Sequence, residues 1–177
     1  MPSNSAVPRS PESLAHEVLT RYLELCDVPR PPDTTGRLED LFTPDAVWEG
    51  VGPLYAAKFG RTTGAGAIAA MLSAHLPPNG RFQANVHLLQ HGTTHAAYNE
   101  VRGKWLMQQL SRYESGAAEL VVARLELDFR IEEHSEGDSA RDTEGARALI
   151  SRFRTRRVFD AELGPALVTG LQEVTTR

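Results

Sequence analysis

The chain predicts an α+β domain: three N-terminal helices packed on a curved, mostly antiparallel sheet. Helical patterning gathers in the first half of the sequence and long strand-like runs fill the second half. In addition, Val121, Ala123, Leu125, Leu127 and Phe129 alternate with Arg124, Glu126, Asp128 and Arg130. Alternation with a period of two gives a sheet one buried and one polar face. The helices therefore have a face to cover, and the charged side is left to solvent or to a subunit interface.

Residues 1–9 read as a polar, proline-containing disordered tail. Ser10, Pro11 and Glu12 then supply an N-cap, a proline for the first turn and an acid at the positive helix end. Leu14, Val18 and Leu25, with Ala15, Leu19, Tyr22 and Cys26, form an apolar stripe at three- and four-residue spacing, ended by Pro29, Pro31 and Pro32. The joint "DVPRPPDTTG" leads into a short second helix capped by Thr34 or Thr35, with Leu38, Leu41 and Phe42 facing inward, and "TPDA" closes it as a turn. From Ala46 the runs "AVWEG" and "LYAAKFGR" read as short strands, followed by an Ala-rich third helix, "TTGAGAIAAMLSAHL".

The remainder reads as strand: "RFQANVHLLQH", "THAAYNEVRGKWLMQQLSRY", "AELVVARLELDFRIEEH" and "ALISRFRTRRVF". A turn falls at Glu114, Ser115 and Gly116, and a charged, mobile loop is expected across 131–147. The expectation is one domain over 10–160, with 161–177 as a C-terminal tail.

The chain has 177 residues, a net charge of −4 and 41% hydrophobic residues, a composition without general bias toward nucleic acid or anionic membrane. Arg152, Arg154 and Arg156 in "SRFRTRR" alternate onto one strand face beside acidic neighbours, which favours a solvated or subunit-facing strand over a nucleic-acid site. No stretch is apolar enough to span a bilayer and the N-terminus lacks a signal-peptide core, so the expectation is a cytoplasmic protein. The single cysteine, Cys26, allows no internal disulfide, and its place on the buried stripe beside an aspartate disfavours a thiolate nucleophile.

Asp27 is the first candidate for chemistry. It stands at the end of the first helix, where the negative dipole end and burial both disfavour its charge and strengthen it as a base. His87 lies in a strand with Phe82, Ala84, Val86 and Leu88 on one face and Gln83, Asn85, His87, Leu89 and His91 on the other. If that second face lines a pocket, Asp27 and His87 form a pair that fixes one imidazole tautomer and frees the other nitrogen for proton transfer. Tyr22 belongs to the apolar stripe and has a hydroxyl able to polarise a substrate oxygen. Trp48, Tyr55, Phe59, Trp105 and Met107 are core residues and pocket walls, with Gln109 as a polar substrate contact. His87, His91 and His95 recur every four residues, but in β-like flanks interrupted by Gly92 they do not converge, and no metal site is expected.

The order of elements and the passages "YLELCD", "LEDLFTPDAVWEG", "FGRTTGAGAIAAML", "VRGKWLMQQLSRYESGAAELVVARLELDF" and "RFRTRRVF" resemble the nuclear-transport-factor-2-like superfamily, and more narrowly its SnoaL-like branch, over about residues 12–160. The resemblance implies a conical α+β fold with a deep apolar pocket, and homodimers formed through the outer sheet face. Tyr22 and Asp27 are similar in placement to the Tyr and Asp at the end of the first helix in bile-acid 7α-dehydratase. Asp27 and His87 resemble the pocket aspartate and strand histidine of scytalone dehydratase. The chain departs from both where they carry a further His or Asp, offering Trp105, Met107, Gln108 and Gln109 instead.

The resemblance implies cofactor-free acid–base chemistry, by a dehydratase, isomerase or cyclase, on an apolar small molecule such as a polyketide, steroid or aromatic metabolite. The other class is a non-catalytic binding or subunit-assembly module. An enzyme requires Asp27 and His87 in hydrogen-bond reach at a pocket, and an assembly module does not.

Overall fold

In the computed structural model, which describes residues 9–132 and 146–164, helix α1 (Pro11–Cys26) begins where the cap signal placed it. The Ser10 hydroxyl accepts a 3.2 Å hydrogen bond from the Ser13 N–H. The apolar stripe buries Leu14, Ala15, Leu19, Tyr22, Leu25 and Cys26. Asp27, the C-cap residue, has already left helical geometry at φ −74° and ψ 149°.

Several local expectations change. The second helix is a single 3-10 turn, Leu38–Leu41. Its N-terminus is closed by Asp40, which accepts a bond from the Arg37 backbone N–H at 3.2 Å, and not by Thr34 or Thr35. Thr34 instead donates to Glu24 Oε2 at 3.2 Å and ties the proline joint to α1.

Strand β1 (Phe42–Val51) includes Phe42 and "TPDA", which is therefore no turn. Pro44 has no N–H for a ladder, and the pairing of β1 accommodates it with a register break between Phe42 and Val47. "LYAAKFGR" divides into helix α2 (Gly52–Lys58) and the short strand β2 (Arg61–Thr63). Pro53 sits in the first turn of α2, and the positive φ angles of Gly52 and Gly60 make the sharp bends on either side.

Helix α3 (Ala65–Ser73) follows, and then strands β3 (Phe82–Leu89), β4 (Thr93–Ala97), β5 (Glu100–Tyr113), β6 (Ala118–Glu132) and β7 (Arg147–Glu162). Tyr98, at φ 57°, turns β4 into β5, which the sequence reading had joined as one strand. Strand β7 continues past residue 160 into the expected tail. Positions 1–8, 133–145 and 165–177 of the expected tails and loop lie outside the described residues.

The seven strands form one curved, unclosed sheet in the order β2-β1-β7-β6-β5-β3, with β4 also on β5. Every pairing is antiparallel except β1 with β7. The α+β reading with three helices on a mostly antiparallel sheet therefore holds. Val121, Ala123, Leu125, Leu127 and Phe129 face the helices and are all at most 1% exposed. Trp105 lies flat across the backbone of Gly103, where an added Cβ would come within 2.0 Å of its ring. On the outer face the charges of β6 pair within the sheet: Glu126 with Arg154 at 3.4 Å and Asp128 with Arg102 and Arg152 at 3.9 Å.

Candidate active site

Beyond α1 the chain is pinned to the sheet by one residue. Asn85 of β3 exchanges two backbone hydrogen bonds of 2.8 Å with Val28. Its side-chain Nδ2 donates to the Cys26 carbonyl at 3.1 Å, satisfying an acceptor left free by the helix end. Asn85 thus holds both neighbours of Asp27, so the carboxylate position is set by backbone and not by a freely rotating loop.

From there Asp27 Oδ1 accepts two bonds from His87: one from the backbone N–H at 3.0 Å and one from ring Nδ1 at 2.7 Å. The side chains are 14% and 8% exposed respectively. The opening problem of a carboxylate at a negative helix end is answered here by two donors on one oxygen. An ionised carboxylate only accepts, so Nδ1 carries the proton and Nε2 keeps its lone pair.

His87 stands in the wall of a mainly apolar cavity of about 120 Å³ between the helices and the concave sheet. Of the residues expected there, Tyr22, Trp48, Tyr55, Phe59, Met107 and Gln109 line it. Trp105 does not: it is 4% exposed, packed on Gly103 and edge-on to Phe129. Asp27 is not a wall residue either, and reaches the cavity only through His87. Phe82, expected on the face opposite His87, joins the wall because the β3–β5 register shifts between Phe82 and Ala84.

Tyr22 accepts a 3.1 Å hydrogen bond from Trp48 Nε1. Burial, the largest cause, holds its hydroxyl well above the ordinary tyrosine range and so protonated. Trp48 stacks on Phe153 with centroids 5.5 Å apart. Burial first and the Asp27 charge second push the Cys26 thiol up to about 12, which removes it as a nucleophile at neutral pH.

The far end of the cavity is polar and was not foreseen. Arg157 lies over the Tyr55 ring at 5.3 Å and near Asp160 at 3.5 Å. Tyr113 donates to Glu119 Oε1 at 2.5 Å. Burial, followed by that carboxylate, raises the Tyr113 hydroxyl to about 12. Lys58 and His75 also reach the wall, and burial is the main cause that lowers the pKa of each. The signal for Arg157 was present in "FRTRR": Phe153, Thr155 and Arg157 share the inward phase that Arg152, Arg154 and Arg156 lack. Among the described residues no three His, Cys, Asp or Glu side chains converge as metal ligands, and no helix is long and apolar enough to cross a membrane.

Helices on one face of a curved sheet, with a cavity between them, define an α+β cone of the nuclear-transport-factor-2-like, cystatin-like type. Solved structures share it. The LinA-type3 hexachlorocyclohexane dehydrochlorinase from Novosphingobium barchaimii LL02 superposes with a TM-score of 0.64 at 15% identity, over 87% of this chain and 90% of that one. A putative scytalone dehydratase from Novosphingobium aromaticivorans DSM 12444 gives 0.62 at 13% identity, over 86% and 87%. An NTF2-like protein with a cystatin-like fold from Novosphingobium aromaticivorans gives 0.57 at 20% identity, over 90% and 87%. No family model and no curated protein sequence matches the chain. At these identities the likeness establishes the fold.

Proposed function

We propose that the protein is an acid–base enzyme of the lyase or isomerase type, acting on an apolar small molecule held in this cavity. The observation that carries the reading is the 2.7 Å contact between Asp27 and His87, with His87 in the cavity wall. His87 Nε2 is the base. It takes a proton from a substrate carbon, and the released electron pair expels a hydroxide or halide from the adjacent carbon or moves to an isomeric position. Asp27 stays ionised, holds the tautomer and stabilises the imidazolium formed. The proton then returns to the leaving group or to another carbon.

Asp27 is thus a positioning residue and His87 the group that touches substrate. Tyr22 accepts the Trp48 N–H, is hydrogen-bonded to Cys26, and is the cavity hydroxyl assigned to polarise a substrate oxygen. These steps require no cofactor. Two of the fold relatives are described as a dehydrochlorinase and a dehydratase, which both remove HX, and this supports elimination over other acid–base chemistry. The aromatic members of the wall, Tyr22, Trp48, Tyr55, Phe59 and Phe153, favour a polyketide, steroid or aromatic metabolite as substrate.

The protein is further proposed to work as a homodimer through the outer sheet face. Along β6 that face carries Arg124, Glu126, Asp128 and Arg130, two charges of each sign, so a two-fold axis offset from the centre of this run brings opposite charges together. Beside it Val86 and Leu88 are 43% and 47% exposed.

The mechanism is tested by incubating the enzyme in D₂O with a panel of cyclic alcohols, ketones and halides and following elimination and deuterium uptake by mass spectrometry. Asp27→Asn keeps an acceptor at the same place, so the fold should persist while turnover falls by about 10²- to 10⁴-fold. His87→Gln should lose as much, and the double variant should be little worse than either single one. Full activity in Asp27→Asn removes the dyad from the mechanism and favours the binding-module reading.

A further inference from the structure

Beside His87, the hydrogen bonds around Gln109 fix which end of its amide meets the cavity. The Cys26 carbonyl can only accept, so Asn85 must turn its Nδ2 toward it, at 3.1 Å. That choice aims Asn85 Oδ1 the other way. It accepts from Gln109 Nε2 at 2.8 Å and from the Ser111 hydroxyl at 2.8 Å. The second hydrogen of Gln109 Nε2 goes to Ser111 Oγ at 3.0 Å. The Nε2 end of the amide is thus turned into this buried cluster, and among the described residues nothing donates to Gln109 Oε1. One backbone carbonyl at the end of α1 therefore sets the polarity of three side chains in series. Asn85 is 2% and Ser111 3% exposed, so water does not compete freely for these bonds.

His87 and Gln109 are direct cross-strand partners in the β3–β5 register and both line the cavity. Opposed side chains on one sheet face lie about 5 Å apart at Cβ. The His87 tautomer presents a lone pair at Nε2 and Gln109 presents a carbonyl oxygen. The wall at this point offers two acceptors side by side.

We propose that Gln109 is a specificity-determining residue that requires a hydrogen-bond donor on the substrate, a hydroxyl beside the atom that His87 deprotonates, and rejects a carbonyl there. The inference rests on the proposed reading of the cavity as a substrate site and narrows its substrate class to apolar alcohols. A buried acceptor that faces a second acceptor is left unpaired, and this discriminates more strongly than a change in shape.

The test is a binding measurement that needs no turnover. The full-length protein is titrated by NMR with 2-indanol and with 2-indanone, which differ chiefly in donating or only accepting, while the His87 backbone amide and the Gln109 side-chain amide are followed. The wild type should bind the alcohol at least about fivefold to tenfold more tightly, the worth of one neutral hydrogen bond. Gln109→Met, which keeps length and removes the acceptor, should reduce that ratio by the same factor. Should Gln109→Met fail to fold, the wild-type ratio still decides. Equal binding of the two probes by the wild type, or an unchanged ratio in Gln109→Met, overturns the proposal alone. Failure of both probes to perturb His87 and Gln109 overturns it together with the cavity reading, whereas loss of turnover in Asp27→Asn bears only on the dyad.

Discussion

Asn85→Ala should be among the most costly single substitutions in the chain, although Asn85 takes no part in the proposed proton transfer. Its side chain makes three hydrogen bonds at 2.8 to 3.1 Å in a position 2% exposed. Truncation leaves the Cys26 carbonyl without a partner, costing about 1–3 kcal/mol, and removes two further bonds worth about 1 kcal/mol each. Gln109 and Ser111 keep each other, so neither is orphaned. The sum is about 3–5 kcal/mol, a large part of the stability of an ordinary domain.

Urea unfolding followed by circular dichroism measures the loss, and hydrogen exchange at Val28 and Asn85 reports whether the bridge between them has opened. Asn85→Asp sharpens the test by exchanging one donor for an oxygen that faces the Cys26 carbonyl. A buried carboxylate with one oxygen pressed against a carbonyl has a raised folded-state pKa. The variant should therefore come closest to wild-type stability at acid pH, where the acid O–H donates in place of Nδ2, and lose stability as pH rises through that value. A loss below about 1 kcal/mol in Asn85→Ala, or an Asn85→Asp variant as stable at pH 8 as at pH 5, refutes the view that this chain of bonds fixes the end of α1.

Two further outcomes are expected. The thiol of Cys26 is held at about 12 in the folded protein against 9.0 for an ordinary thiol, so the unfolded chain releases its proton first as pH rises. Stability should fall between pH 8 and 10.5 by about 2 kcal/mol more in the wild type than in Cys26→Ala, measured by denaturant midpoints. Equal slopes would show that the thiol does not sense its burial. Light scattering at micromolar concentration should give a dimer, and Leu88→Asp, on the outer face with 47% exposure in the single chain, should shift it to monomer. A monomeric wild type ends the homodimer proposal.

How much of this was legible in the sequence depends on the range of the interaction. The first helix carried its own cap, its stripe and its proline stop, all local signals, and β6 carried a clean alternation. Both appear where the residues placed them. "TPDA" and "LYAAKFGR" misled for opposite reasons. In β1 a proline was tolerated because the parallel pairing with β7 breaks register there, a fact of topology. In α2 a β-looking run became a helix because Gly50, tucked within 2.5 Å of the Tyr55 carbonyl at the Cβ position, lets the turn fold back on its strand.

The site divides in the same way. Asp27 stood out by being in the wrong place for its charge, and His87 by its resemblance to the strand histidine of scytalone dehydratase. That their side chains meet at 2.7 Å depends on contacts 60 residues apart. Trp105 failed as a wall residue because Gly103 and Gly92 give its ring a bed of backbone to lie on, which alternation cannot reveal.

The division of labour between Asp27 and Asn85 follows from the same physics. A carboxylate that fixes an imidazole tautomer is useful only if the chain cannot relax by moving it into water. Three prolines stop α1 and stiffen the joint, yet proline supplies no hydrogen bond and cannot hold the joint against the sheet. Asn85 does so with two backbone bonds to Val28 and one side-chain bond to Cys26, and the same side chain then fixes Gln109 across the strand. The carboxylate, the imidazole tautomer and the amide polarity are therefore one coupled arrangement. Substitutions at Asn85 and Asp27 should accordingly be non-additive in binding and stability, and additive behaviour would show them to be independent parts.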